Sequence, residues 1–324
     1  MTFKDIWRIW RGFWFEPTSP LPVCIYRIFL GLLILQSTIV HTMPAEIFWY
    51  GPKGIIPIGD VMDRFWLREP RLDALLLFPP TNQSVHIFFA IFIVVTIFFT
   101  IGFLTRYNAI LMAIGIISLH HHQPFNINGG DSFLGLASWI ICFTDCGRYW
   151  SVDRFLTKYF NGSVNDAPSN PWAQRLLQVQ FAIVYWQTFC CKIVGAQWLD
   201  GTAVYYATRL EDMLKFNLPF LNSLLFCKFL TWYTLFIEFA MWTFVWFKEV
   251  RYWVLLGTLI LHFGIDLTIN LPVFEWAFMA TLILFVEPED IQRGIDFARN
   301  VLAGKYILAK PKLLPTNAAA EVVD

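Results

Sequence analysis

One lysine, Lys192, stands near the end of the apolar run 176–195 with no acidic residue within seven positions. A cation there is costly in hydrocarbon, so it must reach the headgroups, find a partner on another segment, or serve chemistry. The chemistry open to it is proton abstraction. A free lysine titrates near about 10.4, and desolvation can bring that down by about 3–5 units, leaving a neutral amine able to take a proton. Trp186, Phe189 and Trp198 would wall such a pocket in the outer third of the run. The competing reading is anchorage, in which the ammonium climbs about one turn to the headgroups.

A second set lies in the run L-L-G-T-L-I-L-H-F-G-I-D-L-T-I-N-L. His262, Asp266 and Asn270 fall four residues apart, which puts them on one stripe of a helix. Such a stripe either lines a polar cavity or holds helices together by buried hydrogen bonds. It climbs toward the face where Lys192 ends, which favours the cavity. Glu238 stands alone in F-I-E-F-A-M-W, so it must be protonated or matched to a cation. Asp131 follows Gly129-Gly130 and opens an apolar run, the place of a helix N-cap after a glycine turn. His120, His121 and His122 resemble a metal site, but successive helical positions diverge by about 100° and cannot share one ion. No metal is expected.

The elements that must position these residues are membrane helices. Of 324 residues, 57% are hydrophobic and 15% charged, against about 25% charged in a soluble domain. Apolar runs near 23–43, 85–104, 107–121, 132–147, 176–195, 229–247, 252–271 and 273–287 predict about eight spans. Residues 1–22 form an amphipathic segment for the headgroup plane, with Lys4, Arg8 and Arg11 among Trp7, Trp10 and Trp14. Residues 23–290 are the bundle and 291–324 a tail. Arg27 is expected to snorkel from the first span. Residues 196–220 read as interfacial or re-entrant. The six cysteines lie in or beside apolar runs and read as free thiols. The net charge of zero suggests no nucleic-acid partner, and no signal peptide is evident.

Four motifs in order carry a resemblance. They are W-F-E-P-T-S-P before Y-R-I-F-L-G-L, then N-I-N-G-G-D-S-F-L, then C-K-I-V-G-A-Q-W-L-D-G-T-A, and L-H-F-G-I-D before P-V-F-E-W-A-F-M-A-T-L-I-L-F. Over residues 7–290 the chain resembles the HTTM (horizontally transferred transmembrane domain) family, which also forms the membrane half of vitamin K-dependent gamma-carboxylase. The resemblance implies that a lysine, matched by Lys192, deprotonates reduced vitamin K. The oxygenated quinol then becomes the base for carboxylating a glutamate. It implies catalytic roles for Lys192, His262 and Asp131, and places Asn126, Asn128, Trp198, Asp266 and Asn270 as substrate- or cofactor-binding residues. Asp131 stands where the carboxylase has a histidine, which puts carboxylation itself in question.

These readings lead to a membrane enzyme that uses a vitamin K-like lipid quinol on a peptide or small substrate at the outer face. The alternative is an accessory protein for maturing or exporting a secreted peptide, as in the sporulation-delaying protein B type. Membrane lipids, the quinol, and either a secreted peptide or a separate substrate-presenting protein are the expected partners. The expected location is the inner or plasma membrane with both termini cytoplasmic. That topology puts 15 Lys and Arg inside and seven outside. Cysteines introduced at Asp60 and Asn161, in a background without native cysteines, should therefore label from opposite sides; labelling from one side would contradict the topology.

Overall fold

The computed structural model describes residues 2–55, 71–216 and 218–303. The chain is an all-α membrane protein; among the described residues the only extended pairings are two isolated bridges. One compact unit ends at Val286, and a second begins at Glu287. The second unit holds the amphipathic helix Pro288–Leu302, with proline in its first turn and Glu289 and Asp290 at its positive end.

In the first unit the helices are α1 (Phe3–Phe15), α2 (Leu21–Gln36), α3 (Glu46–Tyr50), α4 (Asn82–Ile101), α5 (Thr105–His122), α6 (Gly129–Ile141) and α7 (Val152–Asn161). There follow α8 (Trp172–Ile193), the short α9 (Ala196–Leu199) and α10 (Ala203–Ala207), α11 (Leu224–Thr243), α12 (Lys248–Thr268) and α13 (Phe274–Thr281). Among the described residues, four helical stretches are long and apolar enough to cross a membrane: Leu21–Tyr50, α4, α11 and α12. The other expected spans are helices too, but α6 has 13 residues, and the last is α13 continued by a 3-10 turn over Leu282–Phe285. α5 and α8 are long enough but carry too many polar residues.

Two expected boundaries move. The first helical run does not stop at residue 43: α2 widens into a π-helical segment, Ser37–Thr42, and continues through a 3-10 turn into α3. A π-segment spaces backbone bonds more widely and turns side chains off the regular helical stripe. Asn270 lies beyond the end of α12, so the predicted helical stripe ends before it.

α13 is the hub, packed against α2, α6 and α12. Its Ala277, Phe278 and Thr281 are buried, as is Glu275 in its first turn. The 3-10 turn after it also receives side-chain amides from α8: Gln174 and Gln178 both donate to the Leu284 carbonyl. That accounts for two of the polar residues that make α8 unusual for a span, since a helix end leaves carbonyls that need donors.

Arg27 does not snorkel. It is fully buried, and its guanidinium donates to the Cys146 carbonyl at 2.7 Å and the Trp150 carbonyl at 2.6 Å, past the end of α6. The fork of five donors suits several carbonyls at once, which a lysine cannot match. Arg27→Met should leave those carbonyls unpaired and lower stability by roughly 3 kcal/mol, with Arg27→Lys in between. Thermal unfolding in detergent checks this; an unchanged midpoint in the methionine variant would contradict the role.

Candidate functional site

Lys192 is the penultimate residue of α8, and its ammonium pairs with Glu238 on α11. The predicted need for a partner and the lone carboxylate of F-I-E-F-A-M-W thus answer each other. Thr188, one turn before Lys192, gives its hydroxyl to the Tyr185 carbonyl at 3.0 Å. The Trp198 ring covers the ammonium at 5.1 Å, a cation–π contact supplied by the segment just beyond the helix. Trp186 and Phe189 pack along α11, on Trp242 and Phe239. The antiparallel helices are staggered. Glu238 lies fourteen residues into α11, about 21 Å from its start, so the pair joins the end of α8 to the second half of α11.

Beside this pair stands a second group. His262 of α12 gives its Nδ1 side to Glu275 of α13, and its Nε2 meets the Tyr185 hydroxyl of α8 at 2.5 Å. All three side chains are buried. An ionised Glu275 only accepts; Nδ1 then carries the proton toward it, and Nε2 of a neutral ring is left to accept from Tyr185. Glu238 is within electrostatic range of both Tyr185 and His262. The two groups therefore form one row: Lys192 and Glu238, then Tyr185, His262 and Glu275.

Asp266 is not part of this row. It pairs with Lys215 at 3.4 Å, and exposed Asn270 donates its backbone N–H to Met213. The segment 213–215 is thereby tied to the end of α12 through the Leu214–Ile269 bridge. The even i, i+4 spacing of His262 and Asp266 placed them on one stripe, but different neighbours meet each turn.

Asp131 occupies a different place. Asn128, not Asp131, is the N-cap of α6: its side chain accepts from Gly130 and Asp131, while Asp131 at the third position accepts from the Asn128 N–H. This is a capping box. Gly129 and Gly130 are inside the helix, and close packing explains them: a Cβ on Gly130 would lie 2.6 Å from the Phe274 backbone. Phe274 also packs on the His262 ring, so one aromatic residue touches both His262 and the start of α6.

Asn128 and Asp131 line a cavity of about 420 Å³. The π-segment contributes Ser37, Thr38, His41 and Thr42 to it; α3 and its approach contribute Trp49 and Tyr50, and α5 contributes His120. Neither Lys192, His262 nor Trp198 lines it. The predicted single pocket is therefore two places, a cavity and a row that is buried from Glu238 to Glu275 but partly exposed at Lys192. The side chain of Asn126 lies outside the described residues. The three histidines diverge as their spacing requires: His120 lines the cavity, His121 meets the Leu72 backbone, and His122 pairs with buried Asp73 at 2.7 Å. Among the described residues no cluster could hold a metal ion, and the described cysteines are free.

Sequence reasoning missed Tyr185, Glu275 and His41. Glu275 had a signal, an acidic residue in the apolar run after Pro272 that requires a partner. Tyr185 and His41 had none, since tyrosine is ordinary in a span and a π-segment has no simple periodicity.

The HTTM domain family model matches residues 63–289, and the chain belongs to that family. It is the family of the gamma-carboxylase membrane domain. One relative is the Bacillus subtilis (strain 168) protein named "Uncharacterized protein YitO", 24% identical over 192 residues. That alignment covers 55% of this chain and 60% of the relative, so the chain spans about three fifths of the relative's length. No solved structure matches.

Removing His262 alone leaves the Glu275 carboxylate buried and unpaired, a loss of roughly 3–5 kcal/mol. His262→Phe should therefore lose folded yield, and the double variant with Glu275→Gln should recover part of it. Size-exclusion yield and thermal unfolding measure this; a His262→Phe protein as stable as the parent would show that Glu275 does not depend on His262.

Proposed function

We propose that this protein is a membrane enzyme of the carboxylase-like type, handling protons for a lipid quinol and acting on a peptide or small molecule at the outer face. The observation that carries the reading is the buried series Glu275, His262 and Tyr185 set against the Lys192–Glu238 pair. An imidazole oriented by a carboxylate and facing a hydroxyl is the arrangement of an activated acid–base group. Away from water its electrostatics are strong, and the positions of its protons are fixed by partners rather than by solvent.

The quinol is tested against the cavity rather than the row. A volume of about 420 Å³ is that of a small-molecule site. Trp49, Tyr50, Phe92 and Ile116 offer aromatic and aliphatic walls for a ring, and His41, His120, Asn128 and Asp131 offer polar groups. These residues fit a quinol ring with a hydroxyl at its edge. Bound there, a quinol would supply an acidic hydroxyl and two reducing equivalents. His41, His120 and Asp131 would orient the ring and hold its proton. Tyr185, His262 and Lys192 would hold protons deeper in the bundle, with Phe274 shielding the His262 ring from the cavity end.

A second reading, an accessory role in peptide maturation or export without catalysis, is favoured by Lys192 already having a carboxylate partner. Lys192→Arg separates the two. Arginine keeps the ion pair but does not give up its proton. The enzyme reading expects lipid quinone in the purified protein by mass spectrometry and quinol-dependent oxygen uptake in lipid nanodiscs. In the arginine variant the uptake should fall at least about 100-fold with folding unchanged. Absence of both quinone and uptake in the parent protein, or full uptake by the arginine variant, would contradict it.

A further inference from the structure

We infer that α7 is a second in-plane membrane helix, and that its partner is the lipid of the leaflet that α1 also meets. The helix places Phe155, Leu156, Tyr159 and Phe160 on one side and Asp153, Arg154, Thr157 and Lys158 on the other. Phe155, Tyr159 and Phe160 are 68%, 74% and 75% exposed, and no residue of the helix is buried. Their rings pack along the helix, Phe155 on Tyr159 and Tyr159 on Phe160. An aromatic face this open is not that of a helix standing in water.

Its position is fixed at both ends. Asp153 accepts from the backbone N–H groups of Leu104 and Thr105, each at 2.7 Å, and from the Thr105 hydroxyl at 2.6 Å. Leu104, with a φ of 43°, and Thr105 form the turn between α4 and α5, where the chain reverses at a membrane boundary. Buried Arg27 grips the Trp150 carbonyl just before the helix. After the helix, Gly162 at a φ of 72° ends it. Ser169 then exchanges two backbone hydrogen bonds with Thr18, in the link between α1 and α2. α1 and α7 are thus held on the same side of the bundle. In α1, Phe3, Ile6, Trp7 and Trp10 are exposed in the same way.

With its start at a span end and its exit tied to the α1–α2 link, α7 has hydrocarbon at hand to cover its open face. Lys158 and Arg154 on the opposite side suit headgroups and water, and Arg154 is paired there with Asp166 at 2.6 Å. The charges balance closely around the helix, so apolar insertion rather than anionic attraction holds it.

Single cysteines at Arg154, Phe155, Thr157, Lys158, Tyr159 and Phe160, in a background without native cysteines, can carry an environment-sensitive NBD dye in full-length protein in phosphatidylcholine–phosphatidylglycerol nanodiscs. Emission at 155, 159 and 160 should be quenched about twofold or more by doxyl lipids and spared by iodide, with 157 and 158 showing the reverse. A helical periodicity of this kind at all sites supports the inference. Equal iodide quenching around the whole helix would overturn it. So would protection at 155, 159 and 160 that is insensitive to doxyl lipid, the result if a second copy of the chain covered this face.

Discussion

Glu275 has no access to solvent, and a carboxylate in that position cannot stay charged without a partner. It is placed in the first turn of α13, the helix that packs on α2, α6 and α12. Its pairing with His262 therefore joins two demands of the bundle: a hub helix that fills the centre, and a buried carboxylate that the centre must supply with a hydrogen-bond donor. Much of the site follows from that constraint. His262 turns its other nitrogen to Tyr185, which brings α8 to the same point, and α8 carries Lys192 to Glu238 two turns further on.

Three other groups with a buried member are paired as well, although the His86 side chain is itself exposed. Arg27 is matched to carbonyls past the end of α6, His122 to Asp73, and His86 to Glu46. Such pairs add little net stability over an apolar core, yet each is costly to break on one side only. What separates the Glu275 group from the others is its composition. It has a carboxylate, an imidazole and a phenol in series, next to a lysine–carboxylate pair, whereas the others are capping contacts or isolated pairs. The cavity beside Asp131 supplies room that the row lacks.

Much of this was legible in the sequence. Hydropathy gave an all-α membrane protein, the interleaved tryptophans and basic residues gave amphipathic α1, and spacing separated the three histidines onto different faces. The need of Lys192 and of Glu238 for partners was also readable, though not that they would find each other. Pairing across 46 positions depends on the stagger of α8 and α11, which no local pattern encodes. The same limit explains the failed stripe. Periodicity put Asp266 on the face of His262, but the loop that brings Lys215 to Asp266 comes from elsewhere in the chain. Asp131 was read as an N-cap because its type fits; Asn128 fits equally, and the backbone chose the earlier residue. Arg27 was assigned to the headgroups because a lone arginine in a span usually climbs, and its true partners are carbonyls of a segment over a hundred residues later.

The central claim is that His262 is held neutral at Nε2 and faces the Tyr185 proton, with Nδ1–H committed to Glu275. Nitrogen-15 NMR of the protein in bilayers, with histidine labelled at both ring nitrogens and His262 assigned by its substitution, reads that state directly. The account predicts one protonated nitrogen, Nδ1, coupled through its hydrogen bond to a carboxylate, and an unprotonated Nε2 at neutral pH. An imidazolium protonated at both nitrogens, or a ring protonated at Nε2 alone, would contradict it.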